Sequence, residues 1–272
     1  MFRQAERTLA CQIVQSTRLL KPMSPELELA MAAAREAGAL LRKNFEADLH
    51  VNEMHDHDIK LALDVESQKL IEAKILKTFP DHAIYGEEGI AGDQNSETQW
   101  IVDPIDGTVN FFFGLPHFCV SIAMRQGGEL KIGAIYDPML DEMFAVDFEG
   151  PAMRNGQLIR PSDRETLGEA VVTIGFSKSQ DAIESGIARY SRIAHRVRKT
   201  RMLGSAALAL AYIACGRLDA YIEEQISLWD IAAGRLMLER GGGTVKLASS
   251  SSNSNKSSIV SSNGKLDFED IL

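Results

Sequence analysis

The string Asp103-Pro104-Ile105-Asp106-Gly107-Thr108-Val109-Asn110-Phe111 constrains this chain more than any other feature. Two carboxylates stand three residues apart, after the apolar run Trp100-Ile101-Val102 and before a Gly-Thr turn. Such a run reads as a buried strand, and acids at its end are costly to desolvate unless something positive meets them. Pro104 fixes the backbone where the strand ends. Gly107 relieves steric limits, and backbone N–H groups there can face an anion. Hard oxygen ligands beside exposed N–H groups suit Mg²⁺ and a phosphate. The plain alternative is a strand that ends in an acidic turn, which a lone pair of acids would favour.

Two further acidic clusters stand at the mouths of apolar elements. Gly86-Glu87-Glu88-Gly89 follows the strand-like Ala83-Ile84-Tyr85, and Trp229-Asp230-Ile231-Ala232-Ala233-Gly234 opens a helical pattern. Three such clusters read as one converging site. In order and composition they resemble the GEE, DPIDGTxNF and WDxAAG signatures of the inositol monophosphatase family, the Mg²⁺-dependent, lithium-sensitive sugar phosphatases. The resemblance runs from Pro25 to Gly264.

The resemblance implies a mixed α/β fold of the layered αβαβα sandwich type, a homodimer, and two or three Mg²⁺ ions in each site. It implies hydrolysis of inositol monophosphate or a related sugar or polyol phosphate by metal-activated water. Glu88 and Asp103, with the carbonyl of Ile105, match one metal site; Asp103, Asp106 and Asp230 match a second. Thr108 can hydrogen-bond the attacking water. Asp64, in the stretch Asp58-Ile59-Lys60-Leu61-Ala62-Leu63-Asp64, matches the acid that works with that threonine, so Glu88, Asp64 and Thr108 are the candidate catalytic groups. Asp64 also stands where a helix N-cap before Val65-Glu66-Ser67-Gln68 would stand. Backbone N–H groups of Gly107 and Thr108, helped by the following helix dipole, are candidates to hold the phosphate beside Asp106. Glu223 matches an acid that accepts hydrogen bonds from substrate hydroxyls, and Gly204-Ser205-Ala206 matches a loop that contacts the substrate ring. A glutamate ending a strand can equally be plain surface, and Gly204-Ser205-Ala206-Ala207 can be only a helix start.

Two other readings compete with this one. The same chemistry could act on histidinol phosphate, fructose 1,6-bisphosphate or a 3′-phosphoadenosine nucleotide, although Val109-Asn110-Phe111 departs from the string of the nucleotide branch. A catalytically silent, regulatory member is the reading from another class, and loss of a metal carboxylate would signal it. One departure is clear: Glu53 stands where the family commonly has lysine, followed by Met54-His55-Asp56-His57, and Lys60-Leu61 replace the usual valine-threonine.

Composition sets the outer limits. The chain has 272 residues, 45% of them hydrophobic and 25% charged, as in ordinary globular proteins. No run of eighteen apolar residues exists, so a membrane partner is not expected. Cys11, Cys119 and Cys215 are scattered and odd in number, which points to a reducing cytoplasm. A net charge of −9 argues against nucleic acid. It also looks wrong for an anionic substrate, until bound Mg²⁺ reverses the local sign.

Three segments are expected along the chain. Residues 1–23 are an extension without core periodicity. Residues 24–150 are sheet-rich and carry most of the metal ligands, and residues 151–272 alternate helix and strand, with a Ser-rich loop at 249–258. Ser24-Pro25 opens a helix whose inward face holds Leu27, Ala30, Ala34 and Leu41. A second helix is expected over Val65 to Lys77. A meander follows from 119 to 148, then a hairpin at Asn155-Gly156. Strands over Ala170–Ile174, near Met202, over Ala220–Ile222 and at Ile259-Val260 alternate with helices over Asp181–Val197, Ser205–Cys215 and Ile231–Glu239.

Overall fold

The period-two pattern of the apolar strands decides the architecture. In β5 (Thr98–Asp106), Trp100 and Val102 face one core and Ile101 faces another. A strand apolar on both faces must be covered on both. The computed structural model, which describes residues 23–47, 49–55, 58–176, 180–249 and 256–268, supplies both covers. Residues 1–22, Asp56, His57 and residues 250–255 of the Ser-rich stretch lie outside the described residues.

The outer cover is a pair of helices, α1 (Pro25–Asn44) and α2 (Ala62–Thr78). Ser24 caps α1, its Oγ accepting the Leu27 N–H at 3.3 Å. Leu27, Ala30, Ala34 and Leu41 pack inward as the periodicity predicts. A hairpin of β1 (Val51–His55) and β2 (Asp58–Leu61) lies between the two helices in sequence, with Glu53 paired across from Lys60.

An eight-stranded sheet forms the second layer. It contains β3 (Ala83–Gly86), β4 (Gly89–Gly92), β5, β6 (Cys119–Gln126), β7 (Glu129–Asp137), β8 (Glu142–Asp147), β9 (Met153–Arg154) and β10 (Gln157–Leu158), in the order β10-β9-β8-β7-β6-β5-β3-β4. Only the β3–β5 pair is parallel. The short helix α3 (Thr108–Phe112) links β5 to β6.

A smaller sheet forms the fourth layer, in the order β12-β11-β13-β15-β14. Its strands are β11 (Val171–Ile174), β12 (Lys199–Arg201), β13 (Ala220–Ile226), β14 (Thr244–Ser249) and β15 (Ser257–Ser262). Helices α5 (Ala206–Ala214) and α6 (Leu228–Gly241) fill the space between the sheets. Helix α4 (Gln180–Ala194) covers the far side, where Ile193 joins Val172, Ile174 and Ile222 in a third core. The five layers are those of the expected αβαβα sandwich. Among the described residues, no helix is long and apolar enough to cross a membrane.

Several elements differ from the sequence expectation. Helix α2 starts at Ala62 rather than Val65, because Asp64 caps it from inside: its Oδ2 accepts the Leu61 N–H at 2.7 Å. Asp64 is therefore the third helical residue, not the N-cap. Strand β13 runs on to Ile226 through a bulge between Glu223 and Ile226, where Gln225 takes a positive φ of 57°. Strand β14 was not expected, because this exposed edge carries no buried apolar alternation.

Candidate active site

The first two acidic clusters meet because β3 and β5 are parallel neighbours. Gly86 pairs with Val102, so the turn after β3 and the end of β5 open on the same side of the sheet. The third cluster arrives on the first turn of α6. One oxygen each from Asp103, Asp106 and Asp230 lies within 4.8 Å of the others. Asp103 is 1% exposed and Asp106 is 7% exposed. Burial pushes the carboxyls of Asp103 and Asp230 well above the ordinary range, and neighbouring acids push them further. For Asp103 the foremost of those neighbours is Glu87. Such a group of acids is unfavourable alone and suits a bound cation.

Each aspartate is held by backbone donors. Asp103 Oδ1 accepts the Ile105 N–H at 3.1 Å, and Asp230 Oδ2 accepts the Ser227 N–H at 2.8 Å. Asp106 sits at the N-terminus of α5. Its carboxylate accepts the Ser205 hydroxyl at 2.6 Å, the Ala207 N–H at 2.7 Å and the Ala206 N–H at 3.2 Å. These bonds oppose the upward push of burial on its pKa. Ser205 and Ala206, expected to meet the substrate, thus direct these donors at Asp106.

The structure separates the two glutamates of the first cluster. Glu87 lines the cavity with the aspartates; Glu88 does not. The Glu88 side chain turns toward Lys60, Oε1 lying 3.9 Å from Nζ. Its backbone N–H donates to Gln68 Oε1 at 2.9 Å, and Gln68 Nε2 donates to Gly89 O at 3.2 Å. Sequence reasoning chose Glu88, whereas the glutamate that lines the cavity is Glu87. The signal lay in the alternation of β3 carried one residue past its end.

Asp64 and Thr108 do meet. The Thr108 hydroxyl lies 3.4 Å from Asp64 Oδ1 and 2.9 Å from the carbonyl of Ile105. Asp64 is 2% exposed, and burial raises its pKa to about 7. The same helix face carries Ser67, which donates to Pro104 O at 3.3 Å, and Gln68. One buried polar stripe of α2 therefore touches both motif loops.

The remaining motif residues build the frame. Gly107 has a φ of 99°, and a Cβ there would come within 3.0 Å of His117 O and 3.2 Å of Gly204 O. Asn110 Nδ2 bridges the same two loops, donating to His117 O and Leu203 O at 2.8 Å each. Phe111 is buried edge-on to Phe118, ring centroids 4.8 Å apart. Gly234 lets α6 approach α5, since a Cβ would lie 2.5 Å from Leu210 Cβ.

A cavity of about 1130 Å³ opens over these groups. Glu87, Asp103, Ile105, Asp106, Gly107, Thr108 and Asp230 line it, as do Gly204, Ser205, Ala206, Glu223 and Gln225. Glu223 Oε2 accepts the Tyr221 hydroxyl at 2.5 Å.

Comparison with known proteins agrees with this geometry. The model of the inositol monophosphatase family matches residues 23–270. A Pasteurella multocida protein named Nus factor SuhB is 40% identical over 228 residues, covering 82% of this chain and 85% of the relative. Inositol monophosphatase 2 of Solanum lycopersicum is 35% identical over 231 residues, covering 82% and 87%. The solved structure of an inositol monophosphatase from Anabaena superposes with a TM-score of 0.77 at 34% identity, covering 88% of this chain and 90% of that one.

Proposed function

Because the chain belongs to the inositol monophosphatase family, we propose that it is a Mg²⁺-dependent phosphomonoesterase acting on inositol monophosphate or a related sugar or polyol phosphate. The observation that carries this reading is the carboxylate trio, two of its members buried, with oxygens within 4.8 Å of one another. The donors are all hard oxygens, as Mg²⁺ prefers, and burial, then neighbouring acids, raise the pKa of Asp103 and Asp230. Asp103, Asp106, Asp230, the Ile105 carbonyl and Glu87 are the residues that would hold the metal. Bound there, Mg²⁺ supplies positive charge to the phosphoryl oxygens and acidifies water.

The protein groups divide the remaining work. Thr108 has one hydroxyl proton and two possible acceptors. Donated to Asp64 Oδ1, that proton leaves the Thr108 oxygen free to accept from the attacking water. As the water gives a proton to the Thr108 oxygen, the Thr108 proton passes to Asp64, which acts as general base. The N–H groups of Gly107 and Thr108 face the phosphate. Glu223 receives substrate hydroxyls, and the Gly204 loop shapes the cavity beside Gly107. Ser205 and Ala206 act through Asp106, which they orient.

Several relatives carry the name Nus factor, which fits a regulatory reading. The complete carboxylate set favours catalysis in this chain. The free thiols Cys119 and Cys215 support a cytoplasmic setting. A homodimer belongs to the same reading. The test is phosphate release from a panel of polyol, sugar, aryl and nucleotide monophosphates, with and without Mg²⁺. Release confined to Mg²⁺ and favouring polyol or sugar esters is expected, with inhibition by Li⁺ relative to Na⁺. No release from any ester would overturn the assignment.

A further inference from the structure

The cavity is acidic, yet two lysines line it. Lys60, on β2, lies beside Glu88 at 3.9 Å. Lys256 comes from the other sheet. It immediately precedes Ser257, which pairs with Ile226 at the end of the β13 bulge. Its backbone is thus anchored next to the strand that carries Glu223 and Gln225. Lys256 is half-buried and forms no ion pair among the described residues. Glu223, the nearby acid of that strand, already accepts a hydrogen bond from Tyr221.

An unpaired ammonium is unusual in this setting. The chain has 38 acids against 29 basic residues, and Glu87, Asp103, Asp106, Asp230 and Glu223 share the cavity. Lysine has a long, rotatable stem and strong hydration, so a partly buried one needs a counter-charge. The phosphate undergoing hydrolysis is assigned above to Gly107, Thr108 and the aspartates. Lys256 stands on the wall proposed to meet the leaving group.

Resting on the phosphatase reading above, we propose that Lys256 is an anion-binding residue of the leaving-group subsite. The preferred substrate is then a phosphate monoester whose leaving group carries a second anionic group, either a further phosphate or a carboxylate. Glu223 reads the hydroxyls of that group and Lys256 reads its charge.

The experiment compares kcat/KM for three esters: a polyol monophosphate, a sugar bisphosphate and a phosphorylated sugar acid. It uses wild-type protein, Lys256→Met and Lys256→Glu. Wild type should favour at least one doubly charged ester over the polyol phosphate by about 10-fold or more, the scale of one hydrogen bond to a charged group. Which ester is favoured tells phosphate from carboxylate. Lys256→Met should collapse that ratio, mainly through KM, and Lys256→Glu should reverse it. Equal wild-type rates on all three esters, or equal losses on all three in Lys256→Met, would overturn the proposal while leaving the phosphatase reading intact. Absence of turnover with every ester would overturn the phosphatase reading and the proposal together.

Discussion

Adjacent glutamates illustrate how a single residue decides the chemistry. Glu87 lines the cavity and is the foremost acid acting on Asp103, while Glu88 turns to Lys60. Glu87→Gln should lower kcat by about 100-fold or more, since even outer partners of a metal cost 10–100-fold. Glu88→Gln should stay close to wild type. Steady-state phosphate release with both variants checks this, and a larger loss in Glu88→Gln would return the role to that residue. The motif Asp103–Phe111 was legible at this scale because its residues divide cleanly: acids for the cluster, Gly107 for a left-handed turn, Phe111 for the core. The glutamate pair was not, because two neighbouring identical side chains carry no label for which face of the chain each takes. The roles of Ser205 and Ala206 were also hidden, because a helix N-terminus can serve an acid of its own chain as readily as a ligand.

At the scale of elements, helix α2 ties the two halves of the carboxylate site together. Asp64, Ser67 and Gln68 lie one turn apart on its buried face and reach Thr108, Pro104 and the Glu88 backbone. Gln68 holds the 86–89 turn that carries Glu87, and its side chain bonds the Glu88 N–H and the Gly89 carbonyl rather than a carboxylate of the cluster. Gln68→Ala should raise the Mg²⁺ concentration for half-maximal rate by about 10-fold, with kcat largely restored at saturating Mg²⁺. Gln68→Glu keeps the acceptor for the Glu88 N–H but loses the donor to Glu72 and Gly89 and sets two acids together, so it should not restore the wild-type midpoint. A Mg²⁺ titration of each variant measures this. A fall in kcat with no change in the Mg²⁺ midpoint would assign Gln68 to another task. The apolar periodicity of α1, α5 and α6 announced those helices. The early start of α2 did not show, because its cap is an acid inside the helix rather than before it. Strand β14 escaped because a sheet edge owes its order to backbone pairing with β15, not to buried side chains.

The whole molecule carries a negative charge of −9 and gathers the buried carboxyls of Asp64, Asp103 and Asp106 at one site. Burial raises Asp64 from 3.8 to about 7 in the folded state, and raises Asp103 and Asp230 in the same direction. The folded protein therefore binds these protons more tightly than the unfolded chain. Without metal, stability should fall as pH rises from 4 through 7, because ionising buried acids favours unfolding. Mg²⁺ competes with those protons, so its stabilising effect should be larger at pH 8 than at pH 5. Thermal melts with chelator and with Mg²⁺ at the two pH values test this. A metal-free Tm that climbs between them would contradict the charge account. The five-layer stacking was expected from the family resemblance, since periodicity alone says that β5 is covered on both faces but not by what.

The central claim is that the cluster of Asp103, Asp106 and Asp230 holds the divalent cation on which phosphate ester hydrolysis depends. The most direct test follows phosphate release from inositol monophosphate by wild type and Asp103→Asn, in chelator and across a Mg²⁺ titration. The account predicts no release in chelator, saturable release with added Mg²⁺, and near-complete loss in a folded Asp103→Asn variant. Release that persists in chelator, or survives in Asp103→Asn, would contradict it.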